Sequence, residues 1–185
     1  MRVAEAGIAR QPGHRGQEVP RLRRLLDDGI ASYNQQMLSD DELVAGFEAA
    51  ALTEFHHADH VRLTIVYLAR YGSGEALRRL TTGLRRLAAA GGQPGKFHVT
   101  MTRAWLELIE AARTAYPHAT TPDALVDACP TLLDRNTLRR CYSGETLDSD
   151  RARNEWMPPD RCALDAALPG APDEEPASDP IMTGC

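Results

Sequence analysis

The stretch His57-Ala58-Asp59-His60-Val61-Arg62-Leu63-Thr64-Ile65-Val66-Tyr67-Leu68-Ala69-Arg70-Tyr71 decides the fold. Val61, Leu63, Ile65, Val66 and Leu68 spread around most of a helical circumference instead of along one stripe. A helix over about 57–71 therefore belongs at the centre of a domain, largely buried. Gly72 and Gly74 punctuate its end.

Its neighbours are read from the same period. On the N-terminal side, Ser39 followed by Glu42 forms a capping box. Asp40 and Asp41 suit a first turn, and Leu43, Phe47 and Ala50 share one face. On the C-terminal side, Leu77, Leu80, Leu84 and Leu87 make an amphipathic helix over about 75–90, closed by the loop Gly91, Gly92, Pro94 and Gly95. A fifth helix over about 97–114 carries Trp105, Leu106, Leu108 and Ile109 and stops before Pro117. Thr121 followed by Pro122 is a cap with proline at the first helical position. Shorter helices are expected over 131–141 and, capped by Ser149, over 150–156. Leu22, Leu25, Leu26, Ile30 and Tyr33 give one more amphipathic segment beginning near Pro20, with Arg21, Arg23 and Arg24 on its other face. No alternating run is long enough for a strand and no internal repeat is visible. The fold class expected is all-α, a compact bundle of about five to seven helices with disordered termini.

The domain boundaries follow composition. Residues 1–19 read as a flexible leader, 20–165 as a single helical domain, and 166–185 as an acidic, proline-rich disordered tail. Residues 1–24 hold six arginines against Glu5 and Glu18, whereas residues 165–185 hold five acids and no base. The net charge of −5 over 185 residues argues against general nucleic-acid binding. No apolar run is long enough for a membrane span, and the arginine-rich start lacks the apolar core of a secretory signal. A cytoplasmic location is the resulting expectation. Cys129, Cys141, Cys162 and Cys185 match no zinc-finger or CxxC spacing and read as reduced thiols.

Chemistry gathers at the histidines. His57 and His60 are three apart and share a helix face. His98 opens another core helix in Lys96-Phe97-His98-Val99-Thr100-Met101-Thr102. If the two helix starts meet, three imidazoles converge, leaving the open fourth position of a catalytic metal site. Imidazole suits iron, copper or zinc and does not choose among them, nor between oxidation and hydrolysis. The plainer reading makes these histidines caps or core groups bonded to backbone carbonyls. A metal-free alternative uses His98 as a general base. His56 lies on a different face and is expected in solvent. Arg139-Arg140-Cys141-Tyr142-Ser143-Gly144-Glu145, with Arg151 and Arg153, suits an anion, or more plainly a surface turn with ordinary ion pairs.

Phe55–Val61 resembles the pattern aromatic–Thr–His–x–x–His–Leu, and Phe97–Thr102 resembles Tyr–His–Glu–Thr–x–Thr. Tyr142-Ser143, Leu147, Ser149, Ala152, Arg153 and Pro159-Asp160 resemble a C-terminal signature. Together they are similar to a group of small all-helical bacterial proteins of unassigned activity, over about residues 40–165. The resemblance places His57, His60 and His98 on that group's histidines, with Thr100, Thr102, Tyr142, Ser143 and Arg153 also matching. His56 stands where threonine is usual, Phe97 where tyrosine is, and Val99 where an acid is. The leading expectation is thus a metal-dependent enzyme acting on a small-molecule substrate. His57, His60 and His98 would be ligands to a transition metal ion, and Thr102 or Tyr142 would orient the substrate. The alternative is a non-catalytic binding protein with structural histidines, meeting a protein partner through residues 20–36 or the acidic tail.

Overall fold

A computed structural model describes residues 38–169, and those from Ser39 onward form one compact unit. The leader, the basic segment at 20–36 and the tail beyond residue 169 lie outside the described residues. Among the described residues seven α-helices follow in order: α1 Asp40–Glu48, α2 His57–Ala90, α3 Val99–Ala115, α4 Pro122–Ala128, α5 Leu138–Cys141, α6 Gly144–Leu147 and α7 Asp150–Asn154. Short 3₁₀ turns cover Pro94–Lys96, Pro130–Leu133 and Leu164–Ala167. Among the described residues there is no strand, so the architecture is all-α. No helix among them is long and apolar enough to cross a membrane.

The central helix behaves as its all-round apolar pattern requires. Val61, Leu63, Thr64, Ile65, Val66, Tyr67 and Leu68 are all buried. On one side α3 packs against them through Ala104, Trp105, Leu108, Ile109 and Ala112, a stripe at helical spacing. On another side α1 inserts Phe47, whose ring meets Phe55 at 5.3 Å and Tyr67 at 6.2 Å between centroids. Burying each such side chain contributes about 1.5–3 kcal/mol, which makes this three-helix contact the main stabilising element.

The helix starts are fixed by side chains. The Ser39 hydroxyl accepts the Glu42 N–H while the Glu42 carboxylate accepts the Ser39 N–H. The Thr121 and Ser149 hydroxyls cap α4 and α7. Ser143 caps α6, accepting the Thr146 N–H at 3.1 Å. Asp59 accepts the His56 N–H at 2.8 Å and so helps to start α2.

Within α2 two helical halves meet at Gly72 (φ 72, ψ 172), a conformation essentially confined to glycine, so the break expected after residue 71 is present. Two boundaries differ from those expected. The segment 131–141 splits into a 3₁₀ turn and α5, because Asp134 caps the intervening turn by accepting the Asn136 N–H. The disordered tail expected from residue 166 starts too early. Ala167 and Leu168 are buried, Arg140 donates to the Ala167 carbonyl at 2.9 Å, and the Tyr116 hydroxyl donates to the Pro169 carbonyl at 3.2 Å. The apolar set Leu164, Ala167 and Leu168 docks despite the acidic, proline-rich composition around it.

Two glycines carry the geometry of α2. A side chain at Gly72 meets nothing nearby, so its cost is purely backbone strain; a Cβ at Gly83 overlaps the ring of buried Phe47. Gly72→Ala is expected to lower unfolding free energy by about 1–3 kcal/mol through that strain. Gly83→Ala is expected to lose stability by about 1–3 kcal/mol by overpacking, although alanine is ordinarily the better helix former. Urea unfolding of both variants checks this. A Gly83→Ala protein more stable than the parent would contradict the close packing of Phe47 on α2.

Candidate functional site

The three histidines occupy helix starts, where unpaired N–H groups make polar side chains useful. His57 is the first residue of α2, and its Nε2 lies 2.9 Å from the Leu132 carbonyl oxygen. A carbonyl can only accept, so Nε2 carries the proton and donates. The His57 ring also packs on Trp105, 4.5 Å between centroids. His98 stands just before α3. Its Nδ1 accepts the Met101 N–H at 3.2 Å, closing the first turn, and its Nε2–H donates to the Leu147 carbonyl at 2.9 Å. Both nitrogens of His98 are thus committed within the fold, and the ring is held in one neutral tautomer.

His60 differs. It sits one turn into α2 beside Phe55, ring centroids 6.1 Å apart. Its Nε2 is buried and has no hydrogen-bond partner. Desolvation, then the neighbouring His57, pushes its pKa down from 6.5 to about 4. Burial also lowers the pKa values of His57 and His98, against the opposing pull of the carbonyls they bond. All three imidazoles are neutral at pH 7.

The residues expected to orient a substrate are also engaged. The Thr102 hydroxyl donates to the His98 carbonyl at 2.8 Å. Tyr142 is fully buried and its hydroxyl donates to the Met157 carbonyl at 3.0 Å. Burial, with nearby Glu107, raises the pKa of that phenol well above its ordinary value. His56 is exposed, as its place on another helix face implies. The arginines near α5 pair within the fold. Arg139 bridges Asp148 at 2.9 Å, and Arg153 donates to the Gly95 carbonyl at 3.0 Å.

The donor set does not fit the metal centre expected from sequence. No three His, Cys, Asp or Glu side chains are grouped to hold an ion among the described residues. His57, His60 and His98 do not converge as a ligand set. For His98 to ligate, it would have to give up either the α3 cap or the Leu147 carbonyl.

What the two helix starts do enclose is a cleft of about 380 Å³. It is lined by Phe55, Trp105 and Phe97, by Leu84 and Leu87 from the second half of α2, and by the polar His60, Gln93 and Lys96. Arg85 stacks over the Phe97 ring, 4.7 Å from the centroid. Thr102 and His98 also line it, so two of the residues singled out in sequence border the cleft with their polar atoms already bonded. Leu84, Leu87 and Phe97 were not identifiable as lining. A leucine stripe reads the same whether it faces a core or a cleft.

No family model matches this chain, and no curated protein or solved structure matches it.

The burial of the histidines gives a pH dependence with a defined sign. A histidine whose folded pKa is depressed binds fewer protons folded than unfolded. Its contribution is complete above about 6.5 and is lost as pH falls through the folded value, about 4 for His60. Unfolding free energy is expected to drop between pH 6.5 and 4, with on the order of 2 kcal/mol of that drop due to His60. His60→Leu should remove that part of the slope. Parallel pH curves for parent and variant would show that His60 is not its source.

Proposed function

We propose that this chain is a non-catalytic binding protein of the all-helical class that holds a small, flat, largely apolar molecule between the starts of α2 and α3. The observation that carries this is the cleft itself. Its volume lies in the range of small-molecule sites, and its walls combine aromatic and aliphatic side chains (Phe55, Leu84, Leu87, Phe97, Trp105) with polar ones from Gln93, Lys96, His98 and Thr102. His57 and His98 act in this reading as structural groups, consistent with their bonds to the Leu132 and Leu147 carbonyls. His60 also lines the cleft, and its Nε2 is a buried polar atom without a hydrogen-bond partner, which in this reading takes one polar group of a ligand. Being neutral, the ring favours an uncharged ligand, since a buried charge without a partner is strongly penalised.

The alternative of a metal-dependent enzyme asks His57 and His98 to surrender those carbonyl bonds. Nothing in the residues' present arrangement favours that exchange.

An NMR titration with p-cresol, an uncharged ring with one hydroxyl, tests the reading. The indole N–H signal of Trp105 should shift saturably, with a Kd on the order of 1 mM for so small a probe. The Trp156 signal should stay in place. His60→Leu should weaken binding about tenfold, as loss of one good hydrogen bond does. No saturable shift with p-cresol or benzamide would overturn the binding site. About one equivalent of transition metal in the tag-free protein, lost in His57→Ala/His60→Ala, would overturn the proposal in favour of metal chemistry.

A further inference from the structure

Outside the cleft, two thiols far apart in sequence meet. Cys141 ends α5 and is fully buried; Cys162 lies in the irregular strap after α7 and is partly exposed. Their Sγ atoms are 2.8 Å apart. The backbone holds them there independently of sulfur chemistry. The Arg161 N–H donates to the Cys141 carbonyl at 3.0 Å, and the Arg161 guanidinium donates to the Arg139 carbonyl at 3.2 Å. One residue earlier, Asp160 accepts from the N–H and hydroxyl of Ser143 and the hydroxyl of Thr146. The strap is therefore laid against α5 and α6 with Cys162 beside Cys141 before any bond forms. Bringing the sulfurs to bonding distance takes less than about 1 Å of movement.

We propose that Cys141 and Cys162 form a reversible disulfide that fastens the strap to α5, made by exchange with a low-molecular-weight disulfide such as oxidised glutathione. Cys162 reacts first, because it is the accessible thiol. As thiolate it attacks one glutathione sulfur, the reagent's S–S bond breaks, and one glutathione thiolate leaves and is protonated. Cys141 then loses its proton and displaces the second glutathione from Cys162. Two protein S–H groups become one S–S bond, and one glutathione disulfide is reduced to two thiols. Burial pushes the Cys141 thiol up from its ordinary value, so the second step is the slow one.

The test treats the full chain with oxidised glutathione, traps free thiols by alkylation and maps peptides without reduction. The expected product is a Cys141–Cys162 cross-linked peptide. The thermal midpoint should rise by on the order of 10 °C, as closing a loop of this length does, and dithiothreitol should reverse both changes. Cys162→Ser, a half-exposed and conservative change, should fold normally and show neither. A stable glutathione adduct on Cys162, a cross-link from Cys162 to Cys129 or Cys185 instead, or no reaction at all in the folded protein would each overturn the proposal.

Discussion

The start of α3 is the point on which the rest of the molecule depends. The first four N–H groups of a helix need partners from outside its own ladder, and here the capping side chain also ties down distant chain. His98 caps the helix with one nitrogen and reaches the end of α6 with the other. The Thr100 hydroxyl donates to the Glu155 carbonyl at 2.7 Å and accepts the Met157 N–H at 3.0 Å. Helices α5, α6 and α7 have four or five residues each, far below the length at which a helix is stable alone. They exist because these bonds and the burial of Leu138, Leu147 and Ala152 hold them on α3. His98, which looked like a ligand in sequence, is thus with Thr100 an anchor of the C-terminal third of the domain.

Much of the helical frame was legible because its causes are local. Ser39 with Glu42, Thr121 with Pro122, and Ser149 each act within three residues, and each cap forms as its spacing implies. The all-round apolar pattern of 61–68 likewise marked the buried centre. The candidate site was legible only in outline. Spacing put His57 and His60 on one face and His98 at a second helix start. The partners that decide what they do lie 75 residues away at Leu132 and 49 away at Leu147. Whether an imidazole binds a metal or a carbonyl depends on such long-range placement, which no local pattern encodes. Cys141 and Cys162 were illegible as a pair for the same reason, and the docking of Leu164–Leu168 was hidden by a composition that resembles a solvated tail.

The cleft follows from the same geometry. Because α2 turns at Gly72, its second half returns along α3, and Leu84 and Leu87 face the start of α3 with space between. Filling that space with side chains would extend the core; left open, it is the cleft. His60 lines it with a buried nitrogen that has no committed bond, in contrast to Thr102 and His98.

Acid and oxidant act on this architecture at different places. His98 caps α3 through Nδ1 only while neutral, and burial disfavours the charged form of His60, so falling pH acts on that end first. The strap is held otherwise. Hydrogen bonds from the hydroxyls of Ser143 and Thr146 keep the Asp160 carboxyl down at about 2, so its folded pKa lies below the ordinary 3.8. Its contribution is complete above that ordinary value and is lost only as pH falls through about 2. Across the range in which the histidines charge, the Asp160 clasp therefore persists and Cys162 stays beside Cys141. The end of the molecule that carries the cleft and the end that carries the thiol pair are joined through His98 and Thr100, yet each answers to its own chemistry.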